Sequence, residues 1–279
     1  MRKISLLSTL GLIAALPLSA LASERCAHAA TRDAALDLAG VRTVVFDIGP
    51  HTLTLAGKAG APGFMHGKAC ASDEKLLAEL VVNQRRDGDT LVVRAERLGW
   101  SQAGSWSGNR YADLYLDTTL PDSIAVQVKV GSGEARIEGV ASLAADVGSG
   151  ELDARHIRGA LFADVGSGDI LAEDVGALHA VSVGSGDLSA RGIRGDAIVG
   201  EIHSGDLVIA DAGGSVRIDA IGSGDAKVSG VSGDVTVRSI GSGDLDARDV
   251  RGDLVVTSVG SGSVDHRGIG GRVRVPADD

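Results

Sequence analysis

Gly241-Ser242-Gly243-Asp244-Leu245-Asp246-Ala247-Arg248-Asp249-Val250-Arg251-Gly252-Asp253-Leu254-Val255-Val256-Thr257-Ser258-Val259 is one period of the pattern that decides the fold. It opens on a tetrad of small and acidic residues. Leu245 and Ala247 then alternate with Asp246 and Arg248, the period of a strand with one buried face. A second glycine, Gly252, leads into a second alternating stretch in which Leu254 and Val256 are apolar. One period therefore reads strand, turn, strand, turn.

The tetrad Gly-Ser-Gly-acid recurs from Gly131, Gly148, Gly166 and Gly184, as His-Ser-Gly-Asp from His203, and again from Gly222, Gly241 and Gly260. Successive starts are 17, 18, 18, 19, 19, 19 and 19 residues apart, and the last copy ends on Ser263 in place of an acid. Other positions keep their character in register. The fifth and seventh are apolar or small (Leu152 and Ala154, Ile170 and Ala172, Leu207 and Ile209), and the tenth is aliphatic (Ile157, Val175, Ile193, Val231). One such unit cannot bury its apolar side, but stacked units can, each strand pairing with its counterpart in the next coil.

The sequence thus predicts an all-β protein, a single-stranded parallel β-helix solenoid of about eight coils of 18–19 residues. The crossover rule makes the helix right-handed. The absence of Pro between Pro121 and Pro276 suits uninterrupted ladders. A propeller blade would need 40–45 residues, and a leucine-rich repeat would need an Asn ladder that is missing.

Composition agrees. Of the 279 residues 40 are Gly, and 29 of these follow residue 130, while six of the seven aromatics precede residue 120 and only Phe162 follows it. Glycine suits tight corners, some of which call for positive φ, and a narrow coil has little room for rings. There is no Gly-X-Y period, so collagen is excluded. A hydrophobic content of 44% is too high for a disordered chain. The net charge of −10 argues against nucleic acid as a partner.

Met1-Arg2-Lys3 followed by an apolar run from Ile4 to Leu21 and the small-x-small triplet Ala20-Leu21-Ala22 reads as a secretory signal peptide, residues 1–22. The alternative is a retained membrane anchor, against which stand Pro17, several Ser and the polar Ser23-Glu24-Arg25. Loss of Arg2 and Lys3 takes the charge from −10 to −12. Cys26 lies too far past the cut for lipidation, and no later stretch is long and apolar enough for a transmembrane helix. The expected location is exported: periplasmic, secreted or at the cell surface. In an oxidising compartment Cys26 and Cys70 are the only possible intramolecular pair, the alternative being two separate thiols.

Residues 23–123 read as an N-terminal β-rich cap and residues 124–279 as the β-helix repeat domain. In the cap, 41–48, 52–55, 90–95 and 111–116 look like strands, Gly49-Pro50 like a turn, and Ser72 like the N-cap of one short helix reaching about Val82. Trp100, Trp106, Gly104 and Gly108 fall in a loop. At the other end Arg272, Arg274 and Pro276 mark an edge strand, with Asp278 and Asp279 beyond it.

Leu114-Tyr115-Leu116-Asp117-Thr118-Thr119-Leu120-Pro121, then 124–130, then the repeated Ser-Gly-Asp-(Leu/Ile) turns with interleaved Val-x-Gly, resemble a family of bacterial β-strand-repeat proteins. That family includes adhesin-type head domains of autotransporters and domains of unknown function. The resemblance covers residues 40–275. It implies a single-stranded β-helix, an envelope or surface location and an adhesin-like role, and it supplies no catalytic residues. The chain departs from an autotransporter in having no translocating barrel.

Several residue sets could carry chemistry. Glu134, Glu151, Asp169, Asp187, Asp206, Asp225 and Asp244 would stack as an acidic ladder at one corner. Rungs ~4.8 Å apart repel by about 0.9 kcal/mol per pair in water. Either these acids hydrogen-bond their own backbone and fix the turn, or they bind Ca²⁺. The calcium β-roll register fails, because here the acid directly follows the second Gly. The serine column Ser132, Ser149, Ser167, Ser185, Ser204, Ser223, Ser242 and Ser261 reads as structural, since eight equivalent nucleophiles with no base would serve nothing. Arg194-Gly195-Asp196 and Arg251-Gly252-Asp253 spell an integrin-binding tripeptide but coincide with the repeat's second corner. His156, His179, His203 and His266 occupy different repeat positions and form no metal column. No metal or cofactor is expected.

The function expected is a non-enzymatic exported protein with an adhesin-like binding or structural role, its partner an envelope component, a glycan or a protein. The alternatives are a polysaccharide-acting β-helix enzyme, which would show nonrepeating acids gathered on one face, and a calcium-stabilised repeat protein.

Overall fold

A computed structural model describes residues 26–99 and 110–276. The leader at 1–22, Trp100, Gly104, Trp106, Gly108, Asp278 and Asp279 lie outside the described residues. The chain winds into a β-solenoid of about eight turns, about 19 residues apart. Every turn contributes one strand to each of two parallel ladders.

Alternation sets which side chains enter the core. Leu245, Ala247 and Val250 of the strand Leu245–Val250 are buried, as are Leu254 and Val256 of Leu254–Val259. Partners are equivalent residues one period apart: Ala226 with Leu245, Val228 with Ala247 and Val231 with Val250 in one ladder, Val235 with Leu254 and Val237 with Val256 in the other. The core between them is one continuous apolar cluster from Leu36 to Val256.

The expected two-residue alternation holds for three residues and then breaks. Ala247 and Val250 both point inward although they are three apart, and the register skips Gly230 and Asp249 between them. The skipped position has positive φ in every coil: Gly139, His156, Asp174, Gly192, Asp211, Gly230, Asp249 and Gly268. One left-handed residue per coil turns the chain so that a third side chain reaches the core.

The tetrad glycines are different. None of them has positive φ, so the expectation that these corners exploit that freedom is corrected. They are glycine because coils touch there. A Cβ on Gly243 would lie 1.8 Å from the carbonyl oxygen of Gly224, and the equivalents at Gly224, Gly205 and Gly186 would meet the coil below at the same distance.

The N-terminal region extends both ladders. Thr43–Gly49 pairs in parallel with Ala125–Val130, and Thr52–Lys58 with Glu134–Glu138, so these two strands form a coil directly beneath the repeats. Thr90–Arg97 and Ala112–Pro121 form a further coil outside it. Two antiparallel strands close the end, Leu80–Asp87 on Thr90–Arg97 and Phe64–Ala71 on Ala112–Pro121. Short strands His28–Thr31 and Ala34–Ala35 then cover Phe64–Ala71.

Leu80–Asp87 and Phe64–Ala71 are additions to the sequence reading. The single helix among the described residues is Glu74–Glu79, shorter than expected, and Asp73 caps it by accepting from the Leu76 N–H at 3.0 Å. Ser72 is not the cap, for its hydroxyl oxygen accepts the Tyr111 N–H instead.

Candidate functional site

Each tetrad corner hangs on the coil before it. Gly241 N–H donates to Ile221 O, and the Ser242 and Gly243 N–H groups both donate to Gly222 O. The Asp244 N–H donates to a side chain, the Asp225 carboxylate, at 3.1 Å. The same bond joins Asp187 to Asp169, Asp206 to Asp187 and Asp225 to Asp206, each at 3.1 Å. Ser263 ends the chain of bonds, its N–H and hydroxyl both donating to Asp244 at 2.8 Å. The acids thus bond the next coil's backbone rather than their own. A charged acceptor bound to an N–H is well placed to offset repulsion between rungs. Glu134 and Glu151 begin the same column, where the backbone N–H groups of Glu151 and Asp169 donate to Gly133 O and Gly150 O. Glu134 forms an ion pair with Arg136.

A second ladder runs up the opposite corner, and sequence reading did not find it. Asp196 accepts from the Ser215 N–H, the Ser215 hydroxyl oxygen from Asp234, Asp234 from Asp253, and Asp253 from Arg272. The Arg272 guanidinium adds a bond to Asp253 at 3.0 Å. The Arg272 N–H, and then its guanidinium, hold the Asp253 carboxyl below the usual range. The signal was present as Asp196, Ser215, Asp234, Asp253 and Arg272 spaced 19 apart, but the change of letter at two rungs hid it.

This ladder accounts for the Arg-Gly-Asp triplets. A Cβ on Gly252 would lie 2.1 Å from the Asp234 carboxylate, so glycine is required for that carboxylate to reach the Asp253 N–H. The Arg194 guanidinium is held by Asp174 and by the carbonyls of Ile157 and Arg158 at 2.8 and 2.9 Å. Both charged ends of Arg194-Gly195-Asp196 are therefore engaged within the solenoid.

Cys26 and Cys70 are joined by a disulfide, with Cα atoms 5.2 Å apart. It ties the start of the described chain to the outer strand Phe64–Ala71. Two other polar groups are buried in this end. His51 follows the Gly49-Pro50 turn, is 2% exposed, and accepts the Leu114 N–H at Nδ1, 3.2 Å away. Its Nε2 has no partner among the described residues, and burial lowers its pKa to about 4. Thr118 is also fully buried, its hydroxyl unpaired among the described residues. Tyr111 accepts the Ala27 N–H at its hydroxyl, 2.8 Å away.

The four scattered histidines stay apart. Among the described residues no group of three or more His, Cys, Asp or Glu is arranged to hold a metal ion, and no helix is long and apolar enough to cross a membrane. The outer face of the ladder through Leu245–Val250 carries ion pairs, Arg155 with Asp153 and Glu173, and Arg248 with Asp246. The outer face of the other ladder carries Phe162, Val181 and Ile198, exposed by 47%, 65% and 41%.

No family model and no curated protein sequence matches the chain. Solved structures share its fold. One, named "putative lipid binding protein", from Parabacteroides distasonis, is 16% identical with a TM-score of 0.53. Another, named "putative adhesin", from Parabacteroides merdae, is 15% identical with a TM-score of 0.53. Each alignment covers 86% of this chain and 97% of the other.

Proposed function

We propose that this protein is an exported, non-enzymatic binding protein of the bacterial envelope or cell surface, with an adhesin-like role. The observation that carries the reading is the commitment of the corner polar groups to the fold. The Asp ladders, Arg194-Gly195-Asp196 and the corner N–H groups all bond neighbouring coils. The two outer sheet faces run along the stacked coils and suit recognition over an extended surface. Export draws on the signal-like leader together with the Cys26–Cys70 bond, since disulfides persist in oxidising compartments. A neighbour in fold named as an adhesin points the same way.

The test is affinity capture from envelope extract with the protein lacking residues 1–22, alongside fractionation of cells producing the full chain. The reading expects an envelope component to be retained and the mature protein to begin at Ser23 outside the cytoplasm. Retention of nothing, or a cytoplasmic full-length product, overturns it.

A further inference from the structure

One row of outward side chains breaks its own spacing. Gln127, Ala144, Phe162, His179 and Ile198 are direct partners on successive strands of one ladder. The Phe162 and His179 rings are stacked, with centroids 5.0 Å apart and planes 16° from parallel. That separation matches the ~4.8 Å between strands, so the rings stand side by side along the solenoid axis. One face of Phe162 is therefore covered by His179, and the other looks over Ala144. The Ala144 methyl is too small to fill its rung, so the next side chain facing Phe162 is Gln127, two strand spacings (~9.6 Å) away. Phe162 is the sole Phe, Trp or Tyr beyond Tyr115, and its ring stands half-exposed on the outer sheet face instead of in the core.

We propose that this missing rung is a binding slot for a pyranose ring, with Phe162 as its wall and Ala144 as its floor. The depression holds about 210 Å³ and opens onto the sheet face. Phe162 and Gln127 stand two strand spacings (~9.6 Å) apart, which leaves room for one ring between them. Its chemistry is two-sided in the way a sugar is. The free face of Phe162 presents π density to polarised C–H groups. The rim presents Asp146, paired with Lys129 at 3.4 Å, and Asp164, which accepts the Ser182 hydroxyl at 2.6 Å. Hydroxyl donors satisfy these carboxylates, whereas a purely apolar occupant would strip water from them without replacement. The proposal rests on the binding role above and names its partner as a glycan.

The experiment measures binding of the mature protein to labelled oligosaccharides of glucose, galactose, mannose and N-acetylglucosamine. The wild type is expected to bind at least one. Phe162→Ala, which removes the wall, and Ala144→Leu, which fills the slot but keeps the ring, are each expected to weaken that binding at least tenfold. Thr236→Ala, in the same row three strands past His179, is expected to leave it unchanged. Unaltered circular dichroism and melting of all three show that the solenoid is intact. Binding that survives both slot variants overturns the slot. If the wild type ignores every sugar yet captures an envelope protein, the slot fails and the adhesin-like reading stands. If it captures nothing, both fail.

Discussion

The coil of Thr43–Gly49 and Thr52–Lys58 turns its corner on Gly49-Pro50-His51, whereas the coil stacked on it turns on Gly131-Ser132-Gly133-Glu134. Gly49 has φ of +52°, and a Cβ there would meet nothing. Gly133 has no such φ, and a Cβ there would lie 2.0 Å from His51 O. The first glycine answers to its own turn, the second to the coil beneath. The tetrad is thus a contact signature between coils, and it first appears in the coil that follows the N-terminal pair. Those N-terminal coils fill the same cross-section with large side chains, Phe46, Leu53, Leu55 and Leu120 among them, and the strand Phe64–Ala71 that closes them is held to the start of the described chain by a covalent bond.

The largest break in this comparison is removal of the bond. A 44-residue separation corresponds to about 4 kcal/mol in the chain-entropy account of disulfides. Cys26→Ser with Cys70→Ser is expected to lower the stability of the N-terminal end by up to that amount. Amide hydrogen exchange should rise in residues 26–97 before it rises in the repeats. Equal loss of protection along the whole solenoid would mean that end and coils unfold as one unit.

Acid should act on the same end. His51 is buried, and its pKa of about 4 lies below the ordinary 6.5. The unfolded chain therefore takes up the proton first, so stability is untouched above about pH 6.5 and falls between there and pH 4. At 1.36 kcal/mol per unit the loss reaches about 3 kcal/mol at most. His51→Gln, whose side-chain oxygen can still accept the Leu114 N–H, is expected to flatten that part of the stability curve. An unchanged slope in urea titrations at stepped pH would show that His51 does not govern it.

In the repeats the two tetrad glycines should differ. The Gly243 Cβ would lie 1.8 Å from a backbone oxygen, while that of Gly241 would lie 2.8 Å from one. His203 already occupies the Gly241 column, so that column tolerates a side chain. Gly243→Ala is expected to cost about 3 kcal/mol and Gly241→Ala about 1 kcal/mol, from overpacking. Equal midpoints in denaturant would contradict crowding as the reason for the motif.

The repeats were legible because stacking forces like onto like. Leu245 sits on Ala226 and Ala226 on Leu207, so a constant period in the sequence is a ladder in space. The coil number, the parallel pairing and the inward positions follow from that alone. The N-terminal coils were not legible as coils because their order in the chain is not their order in the stack. Thr90–Arg97 slides outside Thr43–Gly49, and no period survives such an insertion. At the candidate site, the Asp169–Asp244 column was visible, but its partner in the next coil was not, since a sequence names the acceptor and not the donor. Phe162 stood out as a lone aromatic. Its slot did not, because the slot is made by the smallness of Ala144 one strand away.

The left-handed column offers the finest discrimination between coil types. Its later residues alternate as Asp174, Gly192, Asp211, Gly230, Asp249 and Gly268. Aspartate tolerates positive φ better than most residues and glycine adopts it freely, so φ alone does not demand alternation. Crowding does: a Cβ on Gly230 would lie 2.8 Å from the Asp211 carboxylate, and one on Gly268 would lie 2.7 Å from that of Asp249. Asp211 and Asp249 lean over the next coil's position and crowd any side chain there, whereas the Asp174 carboxylate turns to Arg194 and a Cβ on Gly192 would come no closer than 3.6 Å to Asp174. Gly230→Ala is expected to cost about 2 kcal/mol, part from φ and part from the carboxylate. If the account is right, Asp211→Gly recovers about 1 kcal/mol of that loss, a coupling measurable in a double-mutant cycle. Strict additivity would leave the left-handed backbone as the whole cost and the alternation without a packing cause.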